Sequence, residues 1–224
     1  MMDLSKSYEF FQPEKDDARV HIVGCGSVGS TVAENLVRFG VTNITLWDFD
    51  KVEAHNIANQ MFRECDVGKL KTEALADILK EINPELKNTL ELQSEGWKGK
   101  MMSGYVFLCV DNIDLRREIV QKHFDSPYVK AMFDFRTRLT DAQHYAADWK
   151  DYGMKKNFLN SMAFTHEEAK SETPVSACNV TLGVCTTVRI ICAYGVSNFV
   201  NFRNGKPIRK LILADAFGFS LDAF

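Results

Sequence analysis

What most constrains this chain is a glycine-punctuated turn set between apolar segments near its N-terminus. Residues 20–50 read VHIVGCGSVGSTVAENLVRFGVTNITLWDFD. A short apolar run (Val20, Ile22, Val23) enters Gly24-Cys25-Gly26-Ser27-Val28-Gly29, a helical pattern follows to Phe39, Gly40 stops it, and residues 44–47 are apolar again. That order predicts strand, turn, helix, strand. Backbone N–H groups and the positive end of a helix dipole meet at such a turn, so a phosphate is stabilised there. Gly24 and Gly26 permit a tight turn and close approach to the phosphate, and Gly29 lets the helix pack closely on the strand. Asp48 follows the turn by about twenty residues, at the tip of the second strand, where a carboxylate can accept hydrogen bonds from ribose hydroxyls. Glycines alone punctuate many turns that touch no ligand. Strand, helix, second strand and terminal acid together point to a nucleotide.

Bulk properties narrow the partners. At 224 residues the chain fits one domain, or one domain with an appended element. With 27 basic against 30 acidic residues it has no cationic excess to suggest nucleic acid or a membrane surface. No uncharged apolar run approaches the ~18 residues of a membrane span. Asp3, Lys6 and Glu9 interrupt any signal-peptide centre, so a cytoplasmic protein is expected. The six cysteines are scattered and form no C-x-x-C pair, which argues against a disulfide framework and a four-ligand zinc site.

Along the chain, residues 1–18 read as an arm whose aromatics (Tyr8, Phe10, Phe11) pack rather than recognise a ligand. After a polar connection, Leu70, Ala74, Ile78 and Leu79 repeat at helix spacing until Asn83-Pro84 stops them. Residues 89–92 read weakly as a strand. Residues 105–110 (YVFLCV) are the clearest buried strand, with Asp111 just past its end. Open α/β sheets bind ligands at the carboxyl ends of their strands, so Asp111 is aimed at the same crevice as Gly26 and Asp48. Asp114 is expected to cap a helix running to Phe124 with Leu115, Ile119 and Val120 inward, and residues 128–135 follow as a strand. This alternation implies an α/β fold: a Rossmann-like, mostly parallel sheet with helices on both faces. Residues 142–147 read as a further strand, 148–173 as charged and irregular with one short helix near Glu167, and the stretch from Leu182 as a buried helix. Asn204-Gly205, between residues 200–202 and 208–213, signals a hairpin, and residues 215–224 a last short strand or tail. The C-terminal extension is thus a crossover, a long helix and a β-hairpin.

Residues after Asp48 separate a dehydrogenase from an adenylating enzyme. The chain reads DFDKVEAHNIANQMFRECDVGKLKTEALADILKEINPE and later VDNIDLRR. This resembles the ThiF and MoeB family, adenylyltransferases related to ubiquitin-activating enzymes, whose pattern is close to D-x-D-x-V-x-x-S-N-L-x-R-Q, then D-V-G-x-x-K, I-N-P and T-D-N. Asp48, Asp50, Val52, Asn56, Gln60, Asp66, Val67, Gly68, Lys71, Ile82, Asn83, Pro84, Asp111 and Asn112 match. The resemblance implies a nucleotide-binding half over 19–135 and a partner-binding half over 136–224 of one adenylation domain. It implies ATP and Mg²⁺ as ligands, a small ubiquitin-like or sulfur-carrier protein as partner, and a homodimer. Asp48 would contact the ribose, Gly24 and Gly26 the phosphate turn, Asn56 and Lys71 the phosphates and Asp111 the magnesium, with Asn112 shaping the site. Such chemistry brings two anions together, so fixed cations and dipoles at the phosphates are its main requirement.

Two positions depart from the pattern. Asn59 stands where the family has Arg, and His55 where it has Ser. An amide cannot replace a guanidinium fork on a phosphate. Arg63 or a protonated His55 are the substitutes available nearby, and the arm before Arg19 offers only Lys6 and Lys15. Cys178 lies in the crossover region, where the resemblance allows a thioester nucleophile and a structural cysteine stays open as the other reading, whereas Cys185 and Cys192 share a helix face and read as small core residues. Two other readings stay open: a scaffold that binds nucleotide without turnover, and an NAD(P)-dependent oxidoreductase, which would leave the residues from Asn56 to Lys71 unexplained.

Overall fold

A computed structural model describes residues 2–171 and 183–224. The glycine turn joins β1 (Val20–Val23) to α1 (Ser27–Arg38), and β2 (Ile44–Trp47) lies parallel to β1. Next come α2 (Lys71–Ile82), β3 (Glu91–Gln93), β4 (Gly104–Leu108), α3 (Ile113–Lys122) and β5 (Val129–Thr137). The C-terminal part adds β6 (Asp141–Asp148), α4 (Tyr152–Asn160), α5 (His166–Ser171), α6 (Cys185–Arg203), β7 (Leu211–Asp215) and β8 (Ser220–Ala223).

All eight strands form one sheet in the order β3-β2-β1-β4-β5-β6-β7-β8. The first five run parallel, and β6, β7 and β8 are added antiparallel. Strand order reverses direction at β1, so the crevice between the carboxyl ends of β1 and β4 is the topological switch point, the place where such sheets take ligands. Every residue of β1, β2 and β4 is buried, as parallel strands covered on both faces must be. One face carries α1, α2 and α6 over a core that includes Leu36, Leu75, Phe107, Phe133 and Phe199. The other carries α3 and α4 over Trp47, Val106, Ile119 and Phe158. Phe11 carries the arm into the first core, edge-on to Phe39 at 5.7 Å, while Tyr8 and Phe10 remain exposed.

Three local expectations are corrected. Asn204-Gly205 does not turn a hairpin: residues 200–202 are the last turn of α6, held there by burial of Val196, Phe199 and Val200. Gly205, at φ +78°, ends the helix in the left-handed conformation that a side chain disfavours. The hairpin is one connection later, between β7 and β8. Asn112 rather than Asp114 caps α3, its Oδ1 accepting from the N–H groups of Asp114 at 2.9 Å and Leu115 at 3.1 Å. The stretch 148–173 contains α4 as well as α5; Asp151 caps α4 and Phe158 anchors it.

Candidate functional site

The turn after β1 is built as its glycines require. Gly24 sits at φ +95°, and a Cβ there would lie 2.8 Å from the Cys109–Val110 peptide, so the turn is pressed against the end of β4. A Cβ on Gly29 would lie 1.8 Å from the Gly24 carbonyl oxygen, which is the close helix-on-strand contact expected of the third glycine. Around Gly26 nothing lies within 4 Å of that position. Gly26 is also the N-cap of α1 and has no side chain to cap it, so the first amides of the helix open onto free space.

Asp48 is turned into this bend. Its Oδ2 accepts from the Cys25 N–H at 2.6 Å and its Oδ1 from the Asp50 N–H at 2.8 Å. Burial raises its pKa above the ordinary value, against the lowering effect of those two amides and of Lys71. The Cys25 amide is therefore committed to Asp48, and the turn amides left for a ligand are those after it.

Lys71 is not surface. It is the first residue of α2, its side chain is only 10% exposed, and its Nζ meets Asp50 Oδ2 at 2.9 Å. Backbone pairing of residues 50–52 with 68–71 sets this geometry: Lys71 N–H donates to Asp50 O, Val52 N–H to Lys69 O and Gly68 N–H to Val52 O. Asp66 makes the turn between them. Its buried carboxylate accepts from Arg63 and Lys69, and these bonds outweigh burial and hold its pKa well below the usual range.

The loop from Glu53 to Met61 is buttoned onto the head of α1. Ser27 Oγ donates to Asn59 O at 2.8 Å and the Met61 N–H to Ser30 Oγ at 3.3 Å. Asn56 is buried, its Oδ1 taken by the Glu53 N–H, so only its Nδ2 could reach an anion. Asn59 is half-buried and His55 exposed, 3.4 Å from Glu53. Gly183, where the described chain resumes, abuts Asn59. Arg63 is not a spare cation: it is held by Asp66 at 2.9 Å and Glu81 at 3.0 Å.

Asp111 is exposed just past β4, and Asn112 beside it is half-buried as the cap of α3. The structure thus gathers Gly24, Gly26, Asp48, Lys71 and Asp111 at the carboxyl ends of β2, β1 and β4. Cys178 lies outside the described residues. Cys192 is fully buried as expected, but Cys185, the first residue of α6, is only half-buried.

Three contributors were not singled out from sequence, Ser27, Arg116 and Asp134, and Asp50 was matched to the motif without a role. Arg116 had a signal, since it lies at helix spacing from Ile113, Ile119 and Val120, a charge within an apolar stripe. A hollow of about 960 Å³ lies at the opposite end of the sheet, between the arm and residues such as Asn43 and Arg203, and none of the predicted site residues line it.

Comparison with known proteins bears on the family and the fold. A model of the ThiF family matches residues 8–207. Ubiquitin-like modifier-activating enzyme 5 of Culex quinquefasciatus is 34% identical over 134 residues, 53% of this chain and 33% of that protein. Its counterpart in Dictyostelium discoideum is 36% identical over 118 residues, 46% and 31% of the two chains. The chain spans about a third of the length of these curated relatives. Among solved structures, E. coli MccB with ATP superposes with a TM-score of 0.72 at 18% identity, over 92% of this chain and 63% of that one. PaaA gives 0.74 at 17%, over 98% and 80%. At such identity these two establish a shared fold. With the family model spanning most of its length, the chain belongs to the ThiF family.

Proposed function

We propose that the protein uses ATP to adenylate the C-terminal carboxylate of a small ubiquitin-like or sulfur-carrier protein. The carrying observation is Lys71, a nearly buried ammonium beside Asp48 and the glycine turn. A long cationic side chain is rarely buried unless paired, and here it is paired to a half-exposed carboxylate that an incoming phosphate could displace. In the reaction a carrier carboxylate oxygen forms a bond to the α-phosphorus of ATP while the bond to pyrophosphate breaks. Asp48 would hold the ribose, the amides after Gly26 the phosphate chain, and Lys71 and Asn56 Nδ2 the charge on the phosphates, with Asn112 shaping the pocket. Among the described residues no cluster of three or more His, Cys, Asp or Glu could enclose a metal. The exposed Asp111 carboxylate fits Mg²⁺ shared with phosphate oxygens, where the ion would neutralise developing negative charge.

Residues 1–18 would serve as an arm, 19–135 as the nucleotide-binding half and 136–224 as the carrier-binding half, within a cytoplasmic homodimer. No described helix is long and apolar enough to cross a membrane. Light scattering checks the assembly. Pyrophosphate exchange into ATP, run with candidate carriers, tests the function: Lys71→Ala is expected to slow it about 100-fold, and exchange at the parent rate would remove Lys71 from its role. Calorimetry with Mg-ATP and NAD in parallel separates this reading from an oxidoreductase.

A second reading has its own observation. Asn59 occupies the position of the family Arg, and Arg63 is tied to Asp66 and Glu81. Mg-ATP affinity without exchange for any carrier would select a non-catalytic nucleotide-binding scaffold.

A further inference from the structure

Among the described residues, the mechanism above leaves a buried cation next to the site without a task. Arg116, on α3, is 6% exposed and reaches back under the crevice floor. Its Nε donates to the Val110 carbonyl at 2.7 Å and its Nη2 to the same oxygen. Its Nη1 donates to Asp134 Oδ1 at 2.7 Å and to the Phe135 carbonyl at 2.6 Å. Asp134, wholly buried on β5, is held from the other side by Arg136, whose guanidinium lies 4.3 Å from the Tyr145 ring and donates to Ser161.

The placement of this fork is what matters. The ladder between β1 and β4 ends with the Cys109 N–H on Val23 O. Val110 lies past it, and Asp111 follows. The peptide between Cys109 and Val110 has Gly24 against it on one side, 2.8 Å from where a Cβ would stand, while Arg116 grips the Val110 carbonyl. That single segment therefore sets the spacing between the phosphate turn and the Asp111 carboxylate. A buried arginine kept only for stability is a poor choice, since well-packed apolar residues of similar volume often serve as well or better. Spending two of its donors on one carbonyl, one residue from Asp111, is a geometric use.

We infer that Arg116 is a positioning residue, anchored by Asp134, that fixes Asp111 in register with the glycine turn for a metal-bound triphosphate. The inference rests on the assignment of Asp111 under the proposed function. Outer-shell partners of metal ligands behave in this way, and their loss weakens metal use about 10-fold or more.

The test compares ATP binding with excess magnesium and with EDTA, by calorimetry, in the full chain. The readout is the factor by which magnesium tightens ATP binding. Arg116→Lys keeps the charge but loses the fork. It is expected to leave affinity in EDTA within about two-fold and to cut the magnesium factor about 10-fold, as Asp111→Asn should, whereas Arg38→Gln, on the exposed face of α1, should not. A magnesium factor unchanged in Arg116→Lys but lost in Asp111→Asn overturns the inference and spares the metal assignment. A factor unchanged in Asp111→Asn overturns both. Should Arg116→Lys melt early, Asp134→Asn, which keeps the guanidinium but removes its ionic anchor, is read in the same way: a magnesium factor equal to the parent's overturns the inference, and a factor cut about 10-fold supports it.

Discussion

At the scale of single residues, the three glycines of the turn make separable demands. Gly29 is required by packing, because a methyl group there would lie 1.8 Å from a backbone oxygen that cannot move aside. Gly29→Ala is expected to cost about 3 kcal/mol, read as a lowered denaturation midpoint. Gly26 has open space around it. Gly26→Ala should change stability by less than about 1 kcal/mol while weakening Mg-ATP binding, because the added methyl occupies the ground a phosphate needs. If the two variants lost stability equally, the turn would be only a structural device. Lys71 shows the limits of reading one residue at a time. A lysine on a helix is ordinarily solvated surface; here the pairing of residues 50–52 with 68–71 places it inside, against Asp50.

At the scale of elements, the ends of helices were the weakest part of the sequence reading and the most informative part of the structure. The apolar residues 200–202 suit a strand or a last helical turn equally well, and Asn-Gly suits a hairpin or a helix stop. Burial of one face of α6 decided for the helix. Gly205→Ala should therefore cost about 1 kcal/mol through its φ alone, since nothing lies within 4 Å of the added methyl. The cap of α3 makes a sharper contrast. Asn112→Ala removes the acceptor for two amides and is expected to cost about 1 kcal/mol. Asp114→Asn touches only an exposed pair with Arg117 and one further amide, and should cost a few tenths, roughly. Chemical denaturation of the two variants side by side ranks the caps.

At the scale of the whole molecule, the arm is fastened to the base of the sheet by Asp16. Its carboxylate accepts from the Tyr105 hydroxyl at 2.7 Å, from Lys130 Nζ at 2.8 Å and from the Ala18 N–H at 3.0 Å. Burial alone would raise its pKa, but these donors prevail and hold it at about 2 against an ordinary 3.8. A carboxylate with a depressed folded-state pKa adds stability above its unfolded pKa and loses it as pH falls through the folded one. The parent should therefore exceed Asp16→Asn in melting temperature at pH 7, and the gap should close between about pH 4 and pH 2. A gap that persisted to pH 2 would mean that the variant had lost packing instead of a tether. The same sheet that is fastened here at its amino end opens at its carboxyl end into the crevice of the candidate site, so arm and site lie at opposite ends of β1 and β4.

Sequence by itself determined what short-range sterics and periodicity control. The strand, turn and helix around Gly24, Gly26 and Gly29 follow from backbone conformations that those residues permit, and the apolar runs of β1, β2 and β4 from burial on both faces. The motif from Asp48 to Asn112 was legible because its spacing is carried along the chain. Tertiary structure alone decided which charges meet: Lys71 with Asp50, Arg63 with Asp66 and Glu81, Arg116 with Val110 and Asp134. These pairs join residues up to 21 positions apart. Only when the strands assemble do these groups come within reach, and for the buried ones among them, Asp66, Lys71, Arg116 and Asp134, burial removes water and obliges each to find its partner.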